Sequence, residues 1–295
     1  MPSLKDIRTR IQSTKNTQKI TRAMKLVSAV KLRRAQQNIL ALRPYAQSVL
    51  TLIADISSTQ KVNHPLLLQK DAEPKNILVV VVNSDRGLCG AFNTNVSKYA
   101  FNYYEEYSKK CEKVDFIFIG RKADEYFQRR GVKGVDSILN MAKDISYQMA
   151  EEISERIINF YLKGEYDEIR FIYNEFKSAI SQDTVTERIL PVDIDAKCSF
   201  DQQEDDASRF PRDLVFEPNP EEIVDELLKK HFAVQVYRCM SESVASEHGA
   251  RMSSMESATS NAGEMIDKLT LTYNKARQAA ITKEIIEITS GAEAL

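Results

Sequence analysis

The residues best placed to do chemistry lie in one run, Asn83-Ser84-Asp85-Arg86-Gly87-Leu88-Cys89-Gly90-Ala91-Phe92-Asn93. It follows an apolar, β-branched stretch, Ile77 to Val82, and precedes a helical pattern. A strand, a glycine loop and a helix can cradle phosphate, because backbone N–H groups at a helix N-terminus converge on an anion. The spacing argues against that use. Gly87 and Gly90 make GxxG rather than GxGxxG, and no Walker Lys-Ser/Thr follows. The plainer reading is a tight turn that packs a helix, with Arg86 paired to Asp85 or another acid. Cys89 as a nucleophile lacks a histidine nearby in sequence.

Other candidates are weaker. The histidines (64, 231, 248) have no metal-ligand spacing, since two ligands on one helical face need i, i+4. The cysteines (89, 111, 198, 239) form no CxxC and read as reduced thiols in a chain without an export signal. The acid pairs Glu151–Glu152 and Glu221–Glu222 sit on helical patterns, where adjacent residues point about 100° apart and cannot share a site. No metal, cofactor or catalytic constellation is therefore expected.

Charge is more informative. The chain of 295 residues has a net charge of −1. Within it, residues 1–34 carry ten Lys and Arg against Asp6, a net +9, and residues 201–226 carry ten acids against Arg209 and Arg212, a net −8. The basic segment could bind nucleic acid, but aromatics are missing from residues 1–44. Basic residues facing an acidic protein collar fit the polar gap from Gln12 to Lys19 better. The longest apolar run, Ile77 to Val82, is far short of the roughly 20 residues of a membrane span, and the first 20 residues lack a signal-peptide core. An Arg-rich transit peptide over 1–34 is disfavoured, because that segment continues into a longer helical pattern.

The elements that would position these residues fall into blocks: 1–58, 74–195, 196–218 and 219–295. Residues 4–58 read as one helix, with Ser3 as N-cap and Asp6 as its capping-box partner. Its apolar positions Leu4, Ile7 and Ile11 lapse and resume at Ile20, Met24 and Val27, and Pro44 should bend or break it. Residues 219–291 read as a second helix, capped by Asn219, Pro220 and Glu222. Its seam is Met255, Thr259, Ala262, Ile266, Leu269, Tyr273, Ala276 and Ala280, alternating four and three. Between them, strands at 77–82, 114–120, 168–176 and 185–192 alternate with helices at 92–111, 121–130 and 144–163, which predicts a doubly wound, Rossmann-like α/β domain. Residues 196–218 are an acidic connecting segment.

Antiparallel pairing of the outer helices sets Met24 opposite about Ser253 and Leu4 opposite about Tyr273. Some 20 C-terminal residues are left unpaired on a helix about 110 Å long. Gly249, Gly263 and the serines around them make a thin helix that other backbones can approach. Three readings follow from the residues alone: a transmission element, a nucleotide-binding α/β enzyme with helical arms, or a coiled-coil nucleic-acid protein.

Three stretches add a family resemblance: KDIRTRIQSTKNTQKITRAMKLVSAVKLRRAQ (5–36), SDRGLCGAFN (84–93) and RMSSMESATSNAGEMIDKLTLTYNKARQAAITKEIIEITSGAEAL (251–295). Nearly the whole chain resembles the γ subunits of F-type ATP synthases, most specifically at ITKEIIEITSGA (281–292). The resemblance implies a non-catalytic rotor: a shaft of paired helices inside an α3β3 hexamer, a C-terminal tip in its upper bearing, and an α/β foot on the membrane c-ring and the ε subunit. It carries over Met24 and Arg251 as contacts with the moving lobes of the β subunits, and Arg277, Gln278, Thr282, Glu284 and Glu287 as the upper contact set. It implies a peripheral location on the cytoplasmic face of a bacterial plasma membrane, with no nucleic acid and no insertion into the bilayer. A chloroplast-type regulatory cysteine pair is not expected, since 197–213 holds only Cys198.

Overall fold

The computed structural model describes residues 3–60, 64–67, 74–139, 145–179, 181–192 and 219–293. The acidic segment 196–218 and Cys198 lie outside the described residues. The elements are α1 (Leu4–Gln60), β1 (Asn76–Val82), α2 (Phe92–Tyr107), β2 (Lys113–Ile119), α3 (Arg121–Gln128), β3 (Asp136–Ile138), α4 (Tyr147–Leu162), β4 (Glu168–Phe176), β5 (Gln182–Leu190) and α5 (Pro220–Glu293). They form two compact units: residues 31–250, and residues 1–30 with 251–295.

In the 31–250 unit, the five strands lie in the order β3-β2-β1-β4-β5, with β5 alone antiparallel. β1 is central and buried from Ile77 to Val82, which explains its unbroken apolar run. Its residues alternate between two cores. Ile77, Val79 and Val81 meet α2 and α3 through Val96, Ala100 and Phe127. Leu78, Val80 and Val82 meet α4, α5 and the far part of α1 through Ile157, Phe232 and Ile53. From His231 to Tyr237 every residue of α5 is buried, so this stretch crosses the core rather than covering it.

Two features of the sheet were not foreseen. β3 is three residues of mixed polarity and offers no apolar run to detect. β5 begins three residues earlier than expected, and only a short turn separates it from β4, too short for a crossover, so the strand returns antiparallel.

The unit of residues 1–30 with 251–295 is a helix pair. The predicted capping box at Ser3 and the predicted Asn219 cap both form. Ser3 N–H donates to Asp6 Oδ2 (3.1 Å) and Asp6 N–H to Ser3 Oγ (3.2 Å). At the other helix, in the larger unit, Glu222 N–H donates to Asn219 Oδ1 (2.8 Å) and Asn219 Nδ2 to Glu222 Oε1 (2.7 Å). The α5 seam matches the prediction: Met255 and Ala262 are buried, and Thr259, Ile266, Leu269, Tyr273, Ala276 and Ala280 are half-buried among exposed neighbours.

The α1 seam corrects the sequence reading. The covered positions are Leu4, Ile7, Ile11, Thr14, Gln18, Thr21, Lys25 and Ser28, an alternation of three and four without a lapse. The supposed gap is a polar stretch of the same seam. Ile20 and Val27 instead point outward, 60% and 58% exposed. Periodicity counted on apolar residues alone followed the wrong stripe. Pro44 does not end α1, which runs unbroken to Gln60.

Cross-helix bonds fix the register. Thr21 Oγ1 and Thr259 Oγ1 are 2.7 Å apart, Gln18 Nε2 donates to the Thr259 carbonyl (3.4 Å), and Lys25 pairs with Glu256. Met24 is thus level with Glu256 rather than Ser253, a slip of about one helical turn from the expected pairing. A Cβ on Gly263 would stand 3.2 Å from Gln18 Nε2, so this glycine permits the close approach foreseen for it.

Candidate functional site

The glycine loop after β1 is closed on itself. Ser84 Oγ is 2.7 Å from the Arg86 carbonyl and 2.8 Å from Asn93 Oδ1. Asn93 Nδ2 donates to the Arg86 carbonyl (3.1 Å) and to Cys89 Sγ (3.1 Å). Asn83 Nδ2 donates to Ser97 Oγ (3.0 Å). Asp85, offered to Arg86 in the sequence reading, accepts the backbone N–H of Arg121 (3.0 Å). Cys89 is 1% exposed, which removes it from attack on a substrate. Gly120, at φ +104°, brings the β2–α3 turn so close that a Cβ would lie 2.3 Å from the Asn83 carbonyl oxygen.

The crevice beside this loop is also filled. In doubly wound sheets ligands bind outside the carboxyl ends of the strands where the order reverses, here between β1 and β4. α5 occupies that place. Ser243 Oγ donates to the Val82 carbonyl at the end of β1 (3.4 Å), and Ser246 Oγ to the Asn174 carbonyl near the end of β4 (3.1 Å). Gly249 lies against Ala179 and Phe176, where a Cβ would meet Ala179 Cα at 3.2 Å. Small residues on α5 let the helix sit where a Rossmann domain would hold a nucleotide.

Below these serines α5 carries a polar cluster that the sequence reading did not single out. Arg238 Nη2 donates to Glu187 Oε2 on β5 (2.5 Å), and its Nη1 to the Tyr173 hydroxyl on β4 (3.1 Å) and to Glu242 Oε1 (3.3 Å). The Tyr173 hydroxyl donates to Glu187 Oε2 (2.9 Å). Burial pushes the Tyr173 phenol up, and it also raises the Glu242 carboxyl, against the pull of Arg238. The signal available in sequence was an arginine and a glutamate four apart, just after the mostly apolar stretch from Phe232 to Val236.

The residues carried over from the resemblance separate into two groups. Met24 is half-buried and Arg251 is 8% exposed. Arg277, Gln278, Thr282 and Glu284 are exposed, at and beyond the last seam positions Ala276 and Ala280, while the side chain of Glu287 lies outside the described ones. Thr282 Oγ1 donates back to the Gln278 carbonyl (2.9 Å). Nearby, Ile281, Ile285 and Ile288 are 48%, 55% and 71% exposed at i, i+4 and i+7, an apolar stripe on one face. Among the described residues no helix is long and apolar enough to cross a membrane, and no group of three or more His, Cys, Asp or Glu could hold a metal ion.

A sealed crevice, a closed loop and a helix with an exposed apolar stripe define an α/β protein with a surface suited to contacting partners. Comparison with known proteins gives the same class. A family model described as ATP synthase matches residues 3–295. The ATP synthase gamma chain of Bdellovibrio bacteriovorus is 60% identical over 295 residues, covering 100% of this chain and 99% of that one. That of Cytophaga hutchinsonii is 46% identical over 298 residues, with the same coverage. The central stalk of the Tetrahymena thermophila mitochondrial ATP synthase, solved with its c-ring, superposes with a TM-score of 0.62 at 26% identity, over 81% of this chain and 99% of that chain. A chain of the Euglena gracilis mitochondrial ATP synthase shares the fold, with a TM-score of 0.67 at 23% identity over 99% and 94%. The chain belongs to the ATP synthase gamma-chain family, whose members are non-catalytic central-stalk rotor subunits.

Proposed function

We propose that this chain carries torque between a membrane c-ring and an α3β3 hexamer, coupling proton or sodium-ion flow to ATP synthesis and hydrolysis in the β subunits. The observation that carries the reading is α5. One helix is locked among strands in the α/β unit and continues to a C-terminal segment whose Ile281, Ile285, Ile286 and Ile288 are about half exposed or more. Arg277, Gln278, Thr282, Glu284 and Glu287 seat that segment in the upper bearing of the hexamer. Met24 and Arg251 serve the moving lobes of the β subunits, Met24 directly and the buried Arg251 by holding α5 beneath that contact. The α/β unit meets the c-ring and the ε subunit. The complex is peripheral, on the cytoplasmic face of a bacterial plasma membrane.

An asymmetric shaft acts by contacting three β subunits differently, so that each rests at a different affinity; a rotor with equal contacts in all three positions would shift nothing. The basic surface of residues 1–34 suits an acidic collar. Reconstitution with α and β subunits tests the reading. Hexamer ATPase activity should depend on this chain and should change when residues 281–295 are removed. Activity indifferent to both would refute it.

A further inference from the structure

A helix that transmits torque must not turn about its own axis inside the body that drives it. Most of what α5 buries in the 31–250 unit is apolar: Val224, Leu228, Phe232, Val236 and Met240 pack into the core beneath the sheet. The hydrophobic driving force behind such packing is non-directional, whereas charge-assisted bonds have a fixed geometry that sets one rotation of the helix. Arg238, Glu242, Ser246 and Gly249 lie on one stripe, spaced four, four and three. The directional bonds that leave α5 for the sheet come from Arg238, to Glu187 on β5 and Tyr173 on β4, from Ser246, to the end of β4, and from Ser243 beside the stripe, to the end of β1.

We propose that Arg238 is the torsional key of the rotor, the positioning residue that fixes the rotation of α5 relative to the sheet. Its guanidinium is the only one in the stripe and reaches two strands at once, Glu187 on β5 and Tyr173 on β4. Tyr173 and Glu187 are themselves bonded, so the three groups form a closed triangle across the helix–sheet junction. A triangle of fixed distances resists shear that a single bond would follow by swinging. Glu242 braces the guanidinium from the next turn of α5. Ser243 and Ser246 add two neutral bonds to strand carbonyls, and Gly249 lets the backbone close on Ala179. The key therefore combines a charged anchor at Arg238 with a close-packed stop at Gly249, three helical turns apart along the same face.

This inference rests on the rotor reading, and the experiment separates the two. The full α3β3 complex is fixed to a surface and a bead is attached to the α3–β3 turn of this chain. Without nucleotide, the angular fluctuation of the bead reports the torsional stiffness between the hexamer and the foot. With ATP, rotation reports rotor function. Arg238→Met keeps much of the length of the side chain and removes the triangle; stiffness should fall, with hydrolysis intact. Tyr173→Phe and Glu187→Gln keep shape and should soften the joint less. Ile157→Val thins the same core without touching the triangle and should lower thermal stability while leaving stiffness unchanged. Unchanged fluctuation in Arg238→Met, or equal softening in Ile157→Val, overturns the key. If Arg238→Met fails to assemble, Tyr173→Phe and Glu187→Gln decide: no softening in either overturns it. A wild-type complex that hydrolyses ATP without rotating overturns the rotor reading, and the key with it.

Discussion

The seam between Thr21 and Thr259 can be measured by removing one hydroxyl at a time. The two Oγ1 atoms are 2.7 Å apart, and each hydroxyl also reaches a carbonyl of its own helix, Gln18 for Thr21 (3.1 Å) and Met255 for Thr259 (2.7 Å). Two protons serve three contacts. The tighter arrangement has Thr259 donating to Met255 while Thr21 donates across to Thr259. Thr21→Val therefore deletes one cross-helix bond and leaves the Thr259 hydroxyl satisfied, at a net cost of about 1 kcal/mol. Thr259→Val deletes the same bond, and Thr21 falls back on Gln18, at a similar or smaller cost. The double variant loses that bond only once and places two methyl groups face to face in the seam, so its stability should be close to wild type. The cycle should show a coupling of about 1–2 kcal/mol, read from urea unfolding of the four full-length chains followed by circular dichroism. Single effects that simply add, within about 0.3 kcal/mol, would mean the hydroxyls do not share a bond, and the register argued from them would be wrong.

Four further outcomes follow from the geometry. Gly120→Ala should destabilise the 31–250 unit by more than about 2 kcal/mol in the same urea assay, because the residue stands at φ +104° and its Cβ would overlap the Asn83 carbonyl. Glu242→Gln should change the pH dependence of stability. Burial raises the Glu242 carboxyl above its unfolded value, so its favourable contribution is complete below the ordinary carboxylate range and is lost as pH rises through the raised value. Melting temperatures of wild type should thus fall relative to Glu242→Gln from about pH 4 upward, and parallel curves would contradict this. Asn219→Ala removes the cap of α5 and should cost about 1 kcal/mol, measured by thermal unfolding. Ile285→Ser with Ile288→Ser, both more than half exposed, should leave the unfolding of the isolated chain unchanged and lower the ATPase of the assembled hexamer; a large loss of stability would show that the stripe is covered within the chain.

Much of this architecture was legible because local chemistry and burial agreed. The Asn219-Pro220-x-Glu222 start of α5, the Ser3–Asp6 box and the apolar run of β1 each had a physical signature, and each appears as read. The α5 seam was legible because its small and apolar residues keep the period themselves. The α1 seam was not, because Thr14, Gln18, Thr21 and Ser28 hold the same period with polar side chains, while Ile20 and Val27 advertise a face that this chain does not cover. The closed crevice was half legible: GxxG excluded the phosphate cradle, but only the fold shows Ser243 and Ser246 in the ligand's place. The Arg238 triangle depends on β5 lying antiparallel beside β4, which the strand pattern did not indicate.

The partners in the helix pair stand far apart in the order of synthesis. Thr21 emerges from a ribosome 238 residues before Thr259. At about 5–20 residues per second, α1 waits on the order of ten to fifty seconds for the strand-spanning helix that completes its seam. Throughout that interval Leu4, Ile7 and Ile11 have no partner, and Ile20 and Val27 gain none from this chain even afterwards. Part of the α/β core also arrives late, since Phe232 and Met240 belong to it. The seam is therefore completed late in synthesis, a delay set by the order of the chain rather than by the strength of its contacts.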